Sequence, residues 1–327
     1  MNPAAILEKL PSLGALVVGD ICLDRWCTYD PAEGEPSRET GIPRVGVVRT
    51  EITPGAGGTV ANNLAALGVG SISVLGVVGD DGFGYELGQA LTARGICADL
   101  LIRAPGIPTF TYTKLLNATT GEEDLPRVDW IQTEPLAPEI ERKLLDSLTQ
   151  QIERFDVILI SDQAESRRGG VVTGSVRTLL ADLAPAFPEK IIWVDSRMRI
   201  DQFRNVVTKP NEQEAGAACA RLPGRSDYEG LRAHTASPLL VVTHGGAGVT
   251  IVEAGRERRI ETQKVEKPVD ICGAGDSFSA GASMALAATR DPEAAARFGH
   301  AVASITIMKK GTGTASPREI LDAHARG

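Results

Sequence analysis

The sequence predicts an α/β fold: a largely parallel central sheet flanked by helices, with a small β insertion set over it as a lid. Short β-branched apolar runs alternate with longer amphipathic stretches, and the segments joining them are mostly short, as compact α/β units require. Two further stretches alternate apolar and polar residues with period two and lead into no helix, which marks strands outside that rhythm.

Residues 15–18, 72–78, 157–160, 191–194 and 239–243 read as buried strands. Helices fit at 59–67, 84–94, 138–154, 170–184, 212–221 and 228–236. The stretches at 44–52, at 109–116 and at 127–131 form the expected antiparallel lid. Its natural place is the C-terminal edge of the main sheet, where open α/β sheets bind ligands and a lid excludes water. The last hundred residues carry a β pair at 248–253 and 258–264, a glycine loop at 270–276, and two alanine-rich helices at 275–288 and 292–310. Met284, Leu286, Ile305 and Ile307 on those helices read as core. With no internal repeat and no long linker, one continuous domain over 1–327 is expected, with lid insertions at about 22–54 and 107–132.

A chain of 327 residues, 43% hydrophobic, can bury a large core. Its 34 basic and 42 acidic side chains give a net charge of −8, so no global positive field exists to hold nucleic acid or an anionic membrane. The N-terminus has no basic segment followed by an unbroken apolar run, and nowhere do 18 apolar residues run together; a soluble, cytoplasmic protein is expected. Cys22, Cys27, Cys97, Cys219 and Cys272 are odd in number, scattered, and form no Cys-x-x-Cys pair, which fits reduced thiols. His234, His244, His300 and His324 are too dispersed for a histidine metal site, so oxygen ligands would hold any metal.

The chemistry concentrates at Asp270-Ile-Cys-Gly-Ala-Gly-Asp276. A glycine pair before a helix lets backbone N–H groups converge on an anion while the helix dipole reinforces them. Phosphoryl transfer needs an aligned, deprotonated hydroxyl and stabilised charge on the moving group. Asp276 can supply the base, and the amides of Gly273, Ala274 and Gly275 the anion hole. A tight loop capped by Asp276 would look the same in isolation.

Context separates the two. The segment DICGAGD followed by SFSAG resembles the signature Asp-Thr-x-Gly-Ala-Gly-Asp of the ribokinase-like (PfkB) family of sugar kinases. The resemblance runs along nearly the whole chain, through GALVVGDICLDRW, PGAGGTVANNLAALG, VVGDDGFG, KPNEQE, VVTHGGAG and KKGTGTASP. Within the family, GDICLDRW, the RVD at 127–129 and GTGTASP are most similar to kinase domains that phosphorylate C-1 of D-glycero-β-D-manno-heptose 7-phosphate.

The resemblance implies a three-layer α/β/α fold with a small β lid, ATP and Mg2+ as cofactors, a sugar or sugar phosphate as substrate, and a homodimer formed through the lid. It leaves open whether a monovalent cation assists. Asp24 falls on the family's sugar-binding aspartate, with a structural cap as its other reading. Gly57 and Gly58 would let backbone approach the sugar. Thr59 stands where an asparagine is usual, and Asn62 or Asn63, a turn later, would substitute for it. Asn211 and Glu214 match an Asn-x-x-Glu motif, in which Glu214 organises magnesium through water. Thr243, Gly245 and Gly248 match the family's triphosphate turn, although a plain hairpin has the same pattern. His300 and Gly311 fall where the adenine pocket is built, though a packed neutral histidine fits equally.

Arg25, Arg38, Lys114, Arg127 and Arg197 lie near the predicted lid and sheet-edge loops, where together they can clamp a substrate phosphate. Asp162 and Asp195, each just past a buried strand, can orient polar groups or cap the next helix. Three other functions compete: a catalytically silent sugar binder, suggested by Thr59 and by Ile271 in place of threonine; a kinase for fructose, ribose or nucleosides; and a nicotinamide oxidoreductase. The single glycine after the first strand argues against the last, and the low aromatic content of 4%, with no obvious aromatic pair near Asp24 to stack on a base, against nucleosides.

Overall fold

The structure, a computed structural model, describes residues 1–224 and 226–326. In chain order the elements are α1 (Pro3–Lys9), β1 (Gly14–Gly19), β2 (Ile21–Tyr29), β3 (Val47–Ala56), α2 (Gly57–Ala66), β4 (Ser71–Gly79), α3 (Gly82–Thr92), β5 (Leu101–Ala104), β6 (Thr111–Asn117) and β7 (Val128–Trp130). There follow α4 (Pro138–Gln151), β8 (Val157–Asp162), α5 (Gly174–Ala186), β9 (Ile191–Ser196), β10 (Val207–Thr208), α6 (Glu212–Ala220), α7 (Tyr228–His234), β11 (Leu240–Thr243), β12 (Val249–Glu253), β13 (Arg256–Ile260), α8 (Ala274–Thr289), α9 (Pro292–Thr306) and α10 (Pro317–Arg326).

The main sheet has nine strands in the order β13-β12-β11-β10-β9-β8-β1-β4-β5. Pairing is parallel from β11 to β5 and antiparallel from β11 to β13. Period-two alternation gives each strand two buried faces. Ala15, Val17, Leu159 and Trp193 join a core with α1, α2, α3, α8, α9 and α10. Leu16, Val18, Ile158, Ile160 and Val194 join the opposite core with α4, α5, α6 and α7. Three layers result. The alanine-rich pair packs closely because it lacks bulk: a Cβ on Gly281 would lie 2.7 Å from Val302, and one on Gly299 2.9 Å from Ala282.

Several boundaries differ from the sequence expectation. α5 begins at Gly174, where the Thr173 hydroxyl accepts the Val176 N–H, rather than at 170. α9 ends at Thr306 instead of 310, and β13 covers Arg256–Ile260 instead of 258–264. α1, α10, β5 and the two-residue β10 have no counterpart in the expectation, being too short or too polar to display a period.

The lid is a separate sheet in the order β3-β2-β6-β7. It was expected to be antiparallel, but its central pair, β2 with β6, is parallel and only the outer pairs are antiparallel. The reason is β2, a strand absent from the sequence expectation, which places none between 18 and 44. Gly19, at φ +129°, turns the chain out of the main sheet; a Cβ there would sit 2.3 Å from the Ser161 carbonyl oxygen.

The lid rests on α3. Trp130 meets Phe83 edge-on with centroids 4.9 Å apart, and Arg25 lies 4.7 Å from the Phe83 centroid while its Nη1 pairs with Glu86 at 2.5 Å. An aromatic pair of this kind contributes about 0.5–1.5 kcal/mol beyond its burial. Trp130→Ala is therefore expected to speed amide exchange in β6 and β7 roughly 2- to 12-fold while leaving exchange in β1 and β8 unchanged. Hydrogen-exchange mass spectrometry would show it, and unchanged lid exchange would mean that this contact does not hold the lid.

Candidate active site

A cavity of about 430 Å³ lies between the lid and the C-terminal ends of the main strands. Asp24, Lys114, Arg127 and Asp129 reach it from the lid; Gln163, Glu165 and Arg197 from the loops after β8 and β9; Gly273 and Asp276 from the start of α8. Seven residues of the sequence-derived set, Asp24, Arg25, Lys114, Arg127, Arg197, Gly273 and Asp276, thus line one space.

The loop before α8 depends on Gly273. Its φ is +75°, and a Cβ there would stand 3.1 Å from Thr59 and 3.2 Å from Thr312. Asp270 ties the loop down: its carboxylate accepts the N–H of Cys272 at 2.9 Å and of Gly311 at 3.1 Å. The Ala274 N–H donates to the Ile271 carbonyl at 3.2 Å, so it is committed to the turn and is not a free member of the expected anion hole. Among the described residues, the N–H groups of Gly273, Gly275 and Asp276 have no intramolecular acceptor, as the first turn of a helix requires. Those three, with the α8 dipole, form the positive end.

Asp276 is partly buried at this N-terminus. Burial, the nearby Asp195 charge and Asp24 push its pKa up to about 7, while Lys209 and Arg197 pull it down. Asp24, on β2 rather than in a loop after the first strand, is pushed up to about 6 by burial, against the pull of Lys114 and Arg127. Gly55 makes room for it, since a Cβ there would fall 2.4 Å from the Asp24 carboxylate.

Beneath the loop sits a residue to which sequence reasoning gave no role. Lys209 is 2% exposed, its Nζ is 2.9 Å from Asp195 Oδ2, and a Cβ on Gly275 would be 3.7 Å from that Nζ. Burial depresses its basicity, but Asp195, Glu214 and Asp276 outweigh burial and raise it, so the ammonium stays charged. Ser279 donates to the same Asp195 oxygen at 3.1 Å. A lysine following a short buried strand in KPN was the available signal. Asp195 therefore orients Lys209, whereas Asp162 is buried against Arg199 at 2.9 Å and Ser196 at 2.6 Å.

Asn211 caps α6: its Oδ1 accepts the Glu214 N–H at 2.9 Å, and Glu214 Oε2 accepts the Asn211 N–H at 2.8 Å. Glu214 is raised by burial and by Asp195. Its second carboxylate oxygen and the neighbouring Asp195 give an oxygen donor set suited to a hydrated magnesium ion. Among the described residues no group of three or more His, Cys, Asp or Glu forms a metal cage. Thr243 is bridged to Asn211, its N–H donating to the Pro210 carbonyl at 3.1 Å. Gly245 and Gly248 adopt φ of +55° and +100°, and a Cβ on Gly248 would lie 2.2 Å from the Ile260 carbonyl oxygen.

Other expected residues lie elsewhere. Arg38 is exposed on the loop before β3, outside the cavity. Asn62 and Asn63 turn away from it, donating to Thr53 Oγ1 at 3.4 Å and to the Thr59 carbonyl at 3.0 Å, because the helix face they occupy packs on the lid and body. Gly57 and Gly58 are likewise absent from the wall, which Ala56 and Thr59 supply; their missing side chains make room for Ile21 and Pro54. Gln132 and Gln163, which the sequence reading passed over, offer the amides instead.

His300 and Gly311 do not share a pocket. His300 lines a second, open groove of about 1000 Å³ with residues 261–265, its pKa lowered to about 4 by burial and its Nε2 without a partner. Gly311 faces Trp26, where a Cβ on it would lie 3.5 Å from the indole, and helps hold the anion loop through Asp270.

Asp276 carries a pH signature. Its ordinary pKa is 3.8 and its folded value about 7, so between those values the folded chain holds more protons than the unfolded one. Stability due to this group falls as pH rises from about 4 to about 7, and the full penalty stands above 7. Asp276→Asn is expected to raise the melting temperature at pH 8, with the gain shrinking toward pH 4 in scanning fluorimetry. A gain independent of pH would contradict the assignment.

Comparisons with known proteins complete the picture. A profile of the pfkB family carbohydrate kinases matches residues 16–319. The chain is 30% identical over 325 residues to the bifunctional protein HldE of Rhodopseudomonas palustris strain HaA2, covering 98% of this chain and 65% of the relative. It is 33% identical over 332 residues to the bifunctional protein HldE of Geobacter sulfurreducens, covering 98% and 64%. The chain thus spans just under two thirds of the length of these curated relatives. Among solved structures, Arabidopsis thaliana ribokinase complexed with ribose and ATP superposes with a TM-score of 0.66 at 18% identity, covering 95% of this chain and 98% of that one. Escherichia coli phosphofructokinase-2 in complex with potassium gives 0.71 at 19% identity, covering 96% and 99%.

Proposed function

The chain belongs to the pfkB family of carbohydrate kinases, and from that premise we propose that it transfers the γ-phosphate of ATP to a hydroxyl of a phosphorylated sugar. One observation carries the reading: Asp24, Asp276 and Gly273 at the start of α8 line a single cavity roofed by the lid, and the Gly273 and Asp276 N–H groups there have no intramolecular acceptor.

Asp24 accepts hydrogen bonds from sugar hydroxyls and orients the acceptor. Asp276 takes the proton of the attacking hydroxyl. The amides of Gly273, Gly275 and Asp276, backed by buried Lys209, stabilise charge on the phosphoryl group in transit. Glu214 and Asp195 are the residues that would hold a hydrated magnesium ion, which would supply positive charge to neutralise the phosphates. The turn of Thr243, Gly245 and Gly248 and the groove at His300 support the nucleotide side.

Lys114 and Arg127 favour an acceptor that already carries a phosphate. Lys114 pairs with Glu123 at 3.5 Å, and Arg127 pairs with Asp129 at 2.7 Å and lies 5.0 Å from the Tyr112 centroid. Both cations stand on the lid side of the cavity, where a phosphate would replace one carboxylate partner of each. D-glycero-β-D-manno-heptose 7-phosphate is the first acceptor to try. A homodimer through the lid is supported by exposed Val47 and Val48 on the edge strand β3, and by Val128 and Trp130 on the opposite edge. No helix among the described residues is long and apolar enough to cross a membrane. The cytoplasm, which supplies ATP, is the proposed compartment.

In a coupled ADP-release assay over sugars and sugar phosphates, turnover is expected with a phosphorylated acceptor. Tight binding without turnover for every compound would favour the silent binder. Asp276→Asn should keep binding of both substrates and lower turnover by roughly 10²- to 10⁴-fold; near-normal turnover would refute the base. Charge reversal at Lys114 or Arg127 should raise KM for the sugar phosphate and spare KM for ATP, whereas equal effects on both would contradict the clamp.

A further inference from the structure

Apart from Arg25, which is paired with Glu86, the cations around the cavity fall into two sets. Lys114 and Arg127 come from the lid and act on Asp24. Lys209 and Arg197 come from the body and act on Asp276. The two body cations are placed differently. Lys209 has a side chain 3% exposed and is locked under the anion loop, whereas Arg197 is 50% exposed and lines the cavity wall, where a ligand can touch it.

The end of β9 fixes this position. Asp195 turns toward Lys209 and Ser279, Ser196 toward Asp162, and the Arg197 backbone N–H donates to the Asp162 carbonyl at 3.1 Å. From there the side chain reaches over the loop after β8. Its Nε donates to Gln163 Oε1 at 2.8 Å, and Nη1 pairs with Glu165. A guanidinium presents five donors in a rigid plane, so two fixed contacts set its orientation and leave Nη2 as a free edge. Its charge is felt by Asp276, by Glu214 on α6 and by Tyr112 on β6.

We infer that Arg197 contacts the γ-phosphoryl oxygens during transfer, opposite the amides of Gly275 and Asp276, and is not part of the clamp for the acceptor's own phosphate. The inference rests on the kinase reading above. Gln163 and Glu165 act as positioning residues that hold the guanidinium plane. Sequence reasoning grouped Arg197 with Arg25, Arg38, Lys114 and Arg127, because five arginines and lysines near loops look alike in one dimension; the fold sorts them.

The test is steady-state kinetics of Arg197→Ala, Arg197→Lys and Glu165→Gln with ATP and the phosphorylated acceptor found active for the wild type. Arg197→Ala should lower kcat by about 10²- to 10³-fold, the loss expected for one preorganised donor to a developing charge, with both KM values within roughly threefold. Added guanidinium ion should restore part of the rate in Arg197→Ala and none in Asp276→Asn. Arg197→Lys keeps the charge and bulk, and should lose about tenfold for want of the fork. Glu165→Gln should lose less than Arg197→Ala. A rise in the acceptor's KM with kcat unchanged would move Arg197 into the phosphate clamp and overturn the inference, as would kcat within twofold of wild type. Absence of ADP release by the wild type itself, with every sugar phosphate, would instead bring down the kinase reading.

Discussion

The architecture of the site hangs on one buried carboxylate. Asp20, 1% exposed between β1 and β2, accepts the backbone N–H groups of Gln163 and Ala164 at 2.8 Å each and of Val171 at 2.9 Å. Burial pushes its pKa up, and the three amides with Arg199 pull against that. Its own carbonyl accepts the N–H of Gly57 at 3.0 Å, and its N–H donates to Ser161. One residue thus fixes the point where the chain leaves the main sheet for the lid, the start of α2, and the loop carrying Gln163 and Glu165. An unpartnered charge at that depth would cost several kcal/mol, so the 163–171 loop cannot drift without exposing it to that penalty.

From that anchor the cavity acquires its electrostatic plan. Asp24 and Asp276 are both held above ordinary carboxylate values, and each is attended by its own pair of cations. A lid-side pair about Asp24 and a body-side pair about Asp276 give one small space two separate regions of positive charge. The cost falls on stability, since a carboxylate kept near neutrality in its pKa is strained whenever it ionises. That same elevation suits a base that must accept a proton near neutral pH.

How much of this was legible in the sequence follows from the range of each signal. Buried strands and amphipathic helices carry their periodicity locally, so the five long parallel strands and α2, α3, α4 and α8 stood out. β2 did not, because a single turn at Gly19 separates it from β1 and Asp24, Arg25 and Thr28 interrupt its apolar residues. The loop at Asp270 to Asp276 was legible because its glycines and acids are adjacent. Lys209 was not, because its importance comes from lying under Gly275, 66 residues away by chain position, a contact no spacing reveals. The same limit explains Asn62 and Asn63: a helix position can be inferred, but the direction its face takes against the lid cannot.

The two departures from the family signature gain a physical reading. Ile271 is 70% exposed, and the turn uses its carbonyl, not its side chain, since the Ala274 N–H donates there. Exchange of threonine for isoleucine at that position therefore leaves the backbone that forms the anion hole intact. Thr59 sends its hydroxyl to the Pro54 carbonyl at 3.4 Å, which leaves its methyl against Gly273, where a Cβ would already be crowded at 3.1 Å. It braces the anion loop from the α2 side instead of reaching for substrate. The side-chain amides that line the same cavity are those of Gln132 and Gln163, the first donating to the Glu134 carbonyl and the second accepting from Arg197 Nε. Neither substitution removes a group that Asp276 needs. Of the two, only Thr59 lines the cavity, so it alone bears on the shape and polarity of that space.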